Sequence, residues 1–590
     1  VAGKAFVRRI PFHERALTEL VEQLQGARSA AEQRLARHLL DFPTVYVVHK
    51  GAAAGRYEVY VGETSDIRSR TVQHLRADIL VREDWKGLAD APDAQMYVIG
   101  HEHFTKSMTL DVENRLMHWL KGSDAVVRLH NRKHNPQNDY YSRDLLDETF
   151  RDAWNQLRGH DRHLFPTEKI VRESALFKAS PFHKLTQQQL AAKARIHDAI
   201  VEARASRAMG QLILVEGSAG TGKTVLLSSL FYDLFMEDVA RDVMSGLDDL
   251  DAWLLVNHDQ QLTVYEQIAL KLGLARRAGD RVSKPTRFIN GRDEDADPVD
   301  VVLVDEAHLL WTQGKQSYRG TNQLADLRRR ARVVVAIFDP QQMVATNQYW
   351  EPDQLRELRD GATQVIELDE QMRMTSSEAT YLWVRHLVDD RRVDEIPDDP
   401  DYDVKVFDDP HALYAAIRAK AADEEHGLSR LTATFDWEFV EKRRVDGKTW
   451  DVVIDTFRVP WNLQLDYDAA ERRDLRGRSW AERPRSIDEV GSTFTVQGFD
   501  LDYAGVIIGP SVTYRDGQIV FDPSASANRN ATKRRTLANG TKVAVAEHLL
   551  RNELNVLLTR GVRGLYLYAV DRELREALLG AQRSSTCRLS

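Results

Sequence analysis

Eight residues, Gly217-Ser218-Ala219-Gly220-Thr221-Gly222-Lys223-Thr224, stand between the apolar run LILVE and the helix-forming VLLSSLFYDLF. Gly217, Gly220 and Gly222 let successive backbone amides, that of Thr221 among them, curl around an anion. Lys223 brings a cation to β- and γ-phosphates, and Thr224 offers a hydroxyl to Mg2+ at a helix N-terminus. Further on, the apolar VVLV ends in Asp305-Glu306-Ala307-His308. Carboxylates at the carboxyl end of a strand lie where a doubly wound parallel sheet binds its ligands. Asp305 is suited to orient Mg2+ and its water shell, and Glu306 to take a proton from, or align, water attacking a γ-phosphate. A lone Asp-Glu at a strand end is usually a helix cap; after this glycine loop the pair implies hydrolysis of a nucleoside triphosphate.

A second constellation lies earlier. Tyr46 and Tyr60 occupy consecutive apolar runs, Arg70 follows ten positions after Tyr60, and His74 stands one helical turn later. Glu113 falls in LDVENRLMHWL and Asn131 in HNRKHNPQN, where Asn135 is the alternative asparagine. A carboxylate for a divalent cation, a phenol or imidazole to activate water, and a guanidinium for phosphorane charge are the parts phosphodiester hydrolysis needs. Taken singly, strand tyrosines usually serve packing. His101, His103, His118, His130 and His134 lack paired ligand spacing on one element, so they are not read as a zinc site.

The elements that must position these groups follow from periodicity. Apolar residues recur at helical spacing over 12–40, then TVYVVHK and YEVYVGE, separated by GAAAG, predict a hairpin, and 66–81 reads as an amphipathic helix. The stretch 142–180 mixes helical periodicity with charge and reads as a connector. From 185 onward LILVEG, AWLLVNH, VDVVLVDEA, RVVVAIFD and TQVIELD alternate with helical segments, the pattern of a parallel sheet covered on both faces. The chain over 376–490 is less legible: an acidic loop DEIPDDPDYD, a strand LTATFDW, and a hairpin signal at Asp446-Gly447. YAGVIIG and LYLYAV restore the α/β pattern and predict a second sheet.

With 590 residues the chain exceeds one core, and 43% hydrophobic with 29% charged residues is the composition of an ordinary globular protein. A net charge of −9 argues against indiscriminate polyanion binding but leaves room for a nucleic-acid site, since only local charge needs to be positive. Cys587 is the single cysteine, which excludes an intramolecular disulfide and a cysteine-rich metal site and fits a cytoplasmic location. No apolar run is long enough for a bilayer, and no signal-peptide pattern opens the sequence, so no membrane partner is expected.

These motifs together resemble two families. Over about 180–575 the chain resembles superfamily 1 helicases, and within them the Schlafen group 3-like helicase domain. Gln189, in LTQQQ, resembles the adenine-reading Q motif, and Gln342, in FDPQQ, the segment sensing the γ-phosphate. Gln371-Met372-Arg373 resembles motif IV, TVQGFD at 495–500 motif V, and NVLLTR at 555–560 motif VI. The resemblance implies that Arg373 and Arg560 act as arginine fingers and, more weakly, that Asp259 and Gln260 lie in a nucleic-acid-contacting loop. Lys533, Arg534 and Arg535 form a basic cluster suited to backbone phosphate. Over about 43–141 the chain resembles the GIY-YIG nucleases, although Thr44-Val45-Tyr46 lacks their first glycine and GAAAG lengthens the hairpin. That resemblance implies Tyr46, Tyr60, Arg70, His74 and Asn131 at the site, with Glu113 as metal ligand.

The expected class is α/β: a small α+β GIY-YIG-like nuclease domain followed by two RecA-like parallel-sheet lobes. The boundaries read as a helical segment 1–42, nuclease domain 43–141, connector 142–180, first lobe 181–375, second lobe 376–575 and tail 576–590. The expected function is an ATP-dependent nucleic-acid enzyme joining a helicase-type translocase to a metal-dependent endonuclease, suited to genome defence or repair. The alternative is a nucleotide-switched module that binds nucleic acid or protein without translocation or cleavage. Expected cofactors are ATP and Mg2+, with Mn2+ an option at the nuclease site; DNA is the first candidate partner and RNA the second.

Overall fold

The computed structural model describes residues 4–587 except 79–82, 132–139, 184, 236–249, 315–316, 319, 424–426, 441–448, 463, 476–477 and 538–539. Asp446-Gly447, Asn135 and His134 therefore lie outside the described residues. The chain forms two compact units, one of 1–185 with 228–248 and 265–280, the other of 186–227, 249–264 and 281–590. Among the described residues no helix is long and apolar enough to cross a membrane.

The first unit is built on a five-stranded sheet ordered Phe6–Pro11, Gln95–Gly100, Thr44–Gly51, Tyr57–Thr64, Val126–Leu129. The pairings are antiparallel except the last, which is parallel. The hairpin read from TVYVVHK and YEVYVGE forms as expected, with Tyr46 opposite Gly62 and Val48 opposite Tyr60. Both tyrosines therefore share one face, because strand side chains alternate with period two. The segment 1–42 is not purely helical. FVRRIP is an edge strand whose arginines and terminal proline hide its pattern, as proline is tolerated at sheet edges. The periodic run 12–40 breaks into helices Glu14–Gln25 and Ala30–Leu40, the second begun by a Ser29/Glu32 capping box.

Of the helix read over 66–81, positions 79–81 lie outside the described residues. Asp66 caps it by accepting from the amides of Arg68 and Ser69, Ile67–Gln73 is α-helical, and His74–Asp78 forms a π turn. The stretch 142–180 is packed rather than linking. Its helix Leu146–His160 buries Phe150, Trp154 and Leu157, and the Phe150 and Trp154 rings both meet Trp119 edge-on. Trp119 lies on helix Lys106–Gly122, which also carries Glu113. Lys271 donates to the carbonyls of Lys121 and Ser123 at the end of that helix, at 3.0 and 2.9 Å, satisfying acceptors that a helix terminus leaves over.

The second unit holds two parallel sheets. One is ordered Gln364–Leu368, Gln211–Gly217, Ala331–Phe338, Val299–Asp305, Ala252–Val256, Val282–Ser283, which contains every strand read from 185 to 369. The other is ordered Asp403–Val406, Gly561–Ala569, Leu501–Ile508, Arg430–Ala433. A single apolar core runs through both, from Val302, Val304 and Phe338 to Val506, Leu557 and Leu567. Nearly continuous burial along Val299–Asp305 and Leu501–Ile508 is what a sheet covered on both faces requires.

Helix Ala546–Leu558 buries one carboxylate, Glu553, whose oxygens accept from the Phe435 amide and from Asn528 Nδ2. Burial, reinforced by the nearby Asp436, pushes this carboxyl from 4.5 up to about 7. Between those values the folded chain holds a proton that the unfolded chain releases, so the contribution is full below about 4.5 and lost as pH rises through about 7. The span corresponds to about 3 kcal/mol. Thermal unfolding between pH 4.5 and 8 will show Glu553→Gln losing a corresponding part of the wild-type fall in stability; an unchanged pH slope would refute the assignment.

Candidate functional site

The strand Gln211–Gly217 delivers the glycine loop to the helix Lys223–Phe235. Gly220 and Gly222 have φ of +94° and +73°, and a Cβ there would come within 2.7 Å of Arg373 Cβ or 2.2 Å of Gln189 Nε2. Glycine is thus needed both for the backbone conformation and for the approach of two neighbours. Lys223 Nζ lies on its own loop, donating to the carbonyls of Gly217 and Ser218 at 2.6 and 2.8 Å, and 3.5 Å from Asp339. Thr224 follows in the first helical turn.

Gln189 is buried beside the loop. Its Oε1 accepts from the Thr186 amide in the capping box of helix Gln187–Ala205, while Nε2 faces the carbonyls of Thr221 and Gly222 at 3.5 and 3.4 Å. Asp305 ends its strand fully buried and accepts from the Glu306 amide. Glu306 has φ 49°, ψ 50°, a left-handed conformation costly for a non-glycine residue. Its carboxylate lies 3.1 Å from His308 Nε2 and accepts from Gln261 Nε2 at 3.5 Å. Burial would raise its pKa, but His308, Lys223 and Arg560 outweigh burial and hold it below the usual value, so it stays ionised. Thr224 at the start of its helix and Asp305 at the end of its strand carry oxygen donors of the kind Mg2+ takes.

From Lys223 the charge network continues outward. Asp339 accepts from Gln342 Nε2 at 2.6 Å, and Gln342 Oε1 accepts from Arg560 Nη2 at 2.8 Å. Burial brings the Arg560 pKa down to about 10, with the nearby Arg373 adding to the fall, which still leaves it protonated at neutral pH. Arg373 Nε pairs with Asp500 at 2.6 Å. The segment between the sheets is held from the carboxyl-terminal one. Asn552 Nδ2 donates to the carbonyls of Pro340 and Met343, Asn555 Nδ2 to that of Gln341, and Gln497 Nε2 to that of Gln342. Asp339 and Asp500 stood inside quoted motifs without a role, and Asn552 had no sequence signal beyond its place one turn before motif VI.

The weaker candidates separate. Asp259 is exposed and pairs with Lys284, and Gln260 Oε1 accepts from the Trp480 amide at 3.4 Å. Lys533 and Arg534 are exposed, but Arg535 is buried, donates to the Thr346 carbonyl at 2.5 Å and stacks over Tyr349. The basic cluster is therefore two residues rather than three, because the arginine stem packs while its neighbours stay in water.

In the first unit Tyr46, Tyr60, Arg70 and His74 converge. Tyr46 Oη lies 2.6 Å from His74 Nε2, the two phenol rings are 6.2 Å apart, and the Arg70 guanidinium, which donates to Gln73 Oε1 at 2.8 Å, acts as a nearby cation on the Tyr46 phenol. Gly62 admits the Tyr46 ring: a Cβ there would sit 2.3 Å from its Cζ and Oη. Burial drives the Tyr46 phenol well above its usual pKa, with Tyr60 and Glu113 adding to the rise and Arg70 opposing it. Glu113 is buried on its helix. Asn131 is committed to the sheet, accepting from the Val61 amide at 3.0 Å and donating to the Val61 carbonyl at 2.7 Å. Trp85, stacked on His74 at 3.7 Å, and Asp78, 2.5 Å from His74 Nδ1, were missed; the i,i+4 spacing of Asp78 from His74 was the available signal. Among the described residues no three His, Cys, Asp or Glu side chains are grouped to hold a metal. One carboxylate with water and phosphate oxygens nevertheless suits Mg2+, which keeps several waters.

The model of the Schlafen group 3, DNA/RNA helicase domain matches residues 210–571. The uncharacterized protein YPL245W of Saccharomyces cerevisiae is 33% identical over 401 residues, 62% of this chain and 84% of that one. Among solved structures, one described as the structural basis for DNA unwinding at forked dsDNA by two coordinating Pif1 helicases is 11% identical with a TM-score of 0.25, covering 69% of this chain and 98% of that one. The structure of C. elegans PCH-2 is 18% identical with a TM-score of 0.18, covering 35% and 48%. At such scores neither structural likeness carries weight. Gln189 and the first unit's site residues lie outside the family match.

Asn552→Ala strips a donor from two carbonyls and will lower unfolding stability by about 1–3 kcal/mol in denaturant titration; a loss under a few tenths would show the clamp to be slack. Gly62→Ala will push the Tyr46 ring from His74 at a cost of about 1–3 kcal/mol, visible as a lower melting temperature and, in a crystal structure, a broken Tyr46–His74 bond. A ring left in place would contradict the packing argument.

Proposed function

The chain belongs to the Schlafen group 3 DNA/RNA helicase domain family, and we propose that it couples ATP hydrolysis on its second unit with metal-dependent phosphodiester cleavage on its first. The observation that carries the ATPase reading is the connected series Lys223, Asp339, Gln342, Arg560, which joins the phosphate-binding loop to a cation on the other parallel sheet of the same unit. In this reading Gly217, Gly220, Thr221, Gly222 and Lys223 hold the phosphates, while Thr224 and Asp305 hold Mg2+. When bound, Mg2+ neutralises charge on the phosphate oxygens. Glu306, kept ionised, orients water and takes its proton. Arg560 and Arg373 stabilise transition-state charge, and Gln342 links the state of the phosphate site to Arg560. Gln189 braces the loop and borders the base.

The nuclease reading rests on the convergence of Tyr46, Tyr60, Arg70 and His74 on one face of a hairpin, with Glu113 as the metal-binding carboxylate. The buried phenols and the imidazole move the proton of the attacking water, and Arg70 meets the phosphorane charge. Asn131 holds the strand carrying Val61 in register beside them. This supports the GIY-YIG-like assignment, with DNA the first substrate to try and RNA the second; Mn2+ is an alternative metal there.

Turnover of ATP with Mg2+, alone and with single-stranded DNA, duplex DNA or RNA, tests both halves when cutting is read from the same tubes. Lys223→Ala will reduce turnover by at least about 100-fold, and Glu113→Gln will abolish cutting while turnover persists. Turnover indifferent to every polymer, with none cut, would instead point to a nucleotide-switched binding module.

A further inference from the structure

Building on the nuclease reading above, we infer that Asp78 is a positioning residue that fixes the tautomer of His74 and so makes Tyr46 and His74 a directional proton relay. His74 lies between two oxygens, Tyr46 Oη at 2.6 Å from Nε2 and Asp78 Oδ2 at 2.5 Å from Nδ1. An ionised carboxylate only accepts, so Nδ1 carries the proton and Nε2 offers its lone pair to the Tyr46 hydroxyl. The ring cannot turn away from this arrangement. Trp85 stacks on it at 3.7 Å and 17°, and Tyr60 meets it edge-on at 5.7 Å.

The relay answers a difficulty in the site. The Tyr46 phenol is buried and must pass on its own proton as it takes one from water, and His74 Nε2, 2.6 Å from Oη, is placed to receive it. As water oxygen bonds to phosphorus and the ester P–O bond breaks, the water proton passes to Tyr46 Oη while the phenol proton passes to His74 Nε2. The leaving oxygen takes its proton from solvent. The resulting imidazolium is stabilised by Asp78 on its far side, and Asp78 is 16% exposed where His74 is 1%, so the charge is balanced toward solvent. Among the described residues, the groups facing this path include Tyr46 and Tyr60 from the hairpin, Arg70 and Gln73 from the helix just before His74, and Glu113 acting on Tyr46 from helix Lys106–Gly122. The π turn His74–Asp78 sets the two side chains together on the partly open edge.

Asp78→Asn keeps the size but removes the charge and can present a donor to Nδ1. In the full chain with Mg2+ and a polymer that the wild type cuts, it will lower kcat for cutting about 100-fold with KM unchanged. The acid limb of the pH profile will move about one unit lower, because His74 loses the anion that favours its protonation. Nitrogen-15 histidine NMR without metal will show His74 as the Nδ1–H tautomer in the wild type and as Nε2–H in Asp78→Asn. Asp78→Glu will restore the wild-type tautomer and most of the rate, which separates positioning from folding, and ATP turnover will stay unchanged throughout. A wild type that cuts nothing would remove the nuclease reading itself. A wild type that cuts, with Asp78→Asn equal to it in rate and pH limb or unchanged in tautomer, would overturn the relay and leave the nuclease standing.

Discussion

Five ionisable side chains of the second unit, Lys223, Asp305, Glu306, Asp339 and Arg560, are almost wholly withdrawn from water. A buried ion costs several kcal/mol unless partners replace its hydration, and the arrangement of this unit follows from that demand. Lys223 balances Asp339, Glu306 is balanced by His308, Lys223 and Arg560, and Arg560 reaches Asp339 only through the neutral amide of Gln342. That amide can donate on one side and accept on the other, so it joins an anion to a cation without adding charge. Removing any member leaves a buried group without its counterpart.

The same demand explains the polar clamp around Pro340–Gln342. A short turn held between two sheets exposes carbonyls to the interior, and backbone acceptors there need donors. Asn552, Asn555 and Gln497 supply them from elements of the carboxyl-terminal sheet. The turn that carries Gln342 is thus fixed to both sheets, and a shift of one sheet relative to the other changes the environment of Asp339 and Lys223 directly.

The first unit solves burial differently. Tyr46, His74 and Asp78 form a hydrogen-bonded series whose carboxylate end, on Asp78, is its partly exposed end. Gly62 gives the Tyr46 ring its space and Trp85 fixes the imidazole plane, so packing sets the geometry of the two rings.

What the sequence determined by itself was local: the glycine loop, the strand ending in Asp305-Glu306, the hairpin with Tyr46 and Tyr60 on one face, and the strands of the amino-terminal parallel sheet. Each is written in contiguous residues whose period or turn chemistry leaves little choice. Phe6–Pro11 escaped because its arginines mask the alternation, and 142–180 was read as a connector because its charges outnumber the aromatic residues that pack it. Tertiary structure alone decided that Gln342 meets Arg560, that Asn552 holds the turn before it, that Arg535 turns inward while Lys533 and Arg534 do not, and that Asp78 completes the His74 pair. Those outcomes depend on which distant polar groups share a buried space, and a hydrogen bond between residues far apart in the chain leaves no period for the sequence to show.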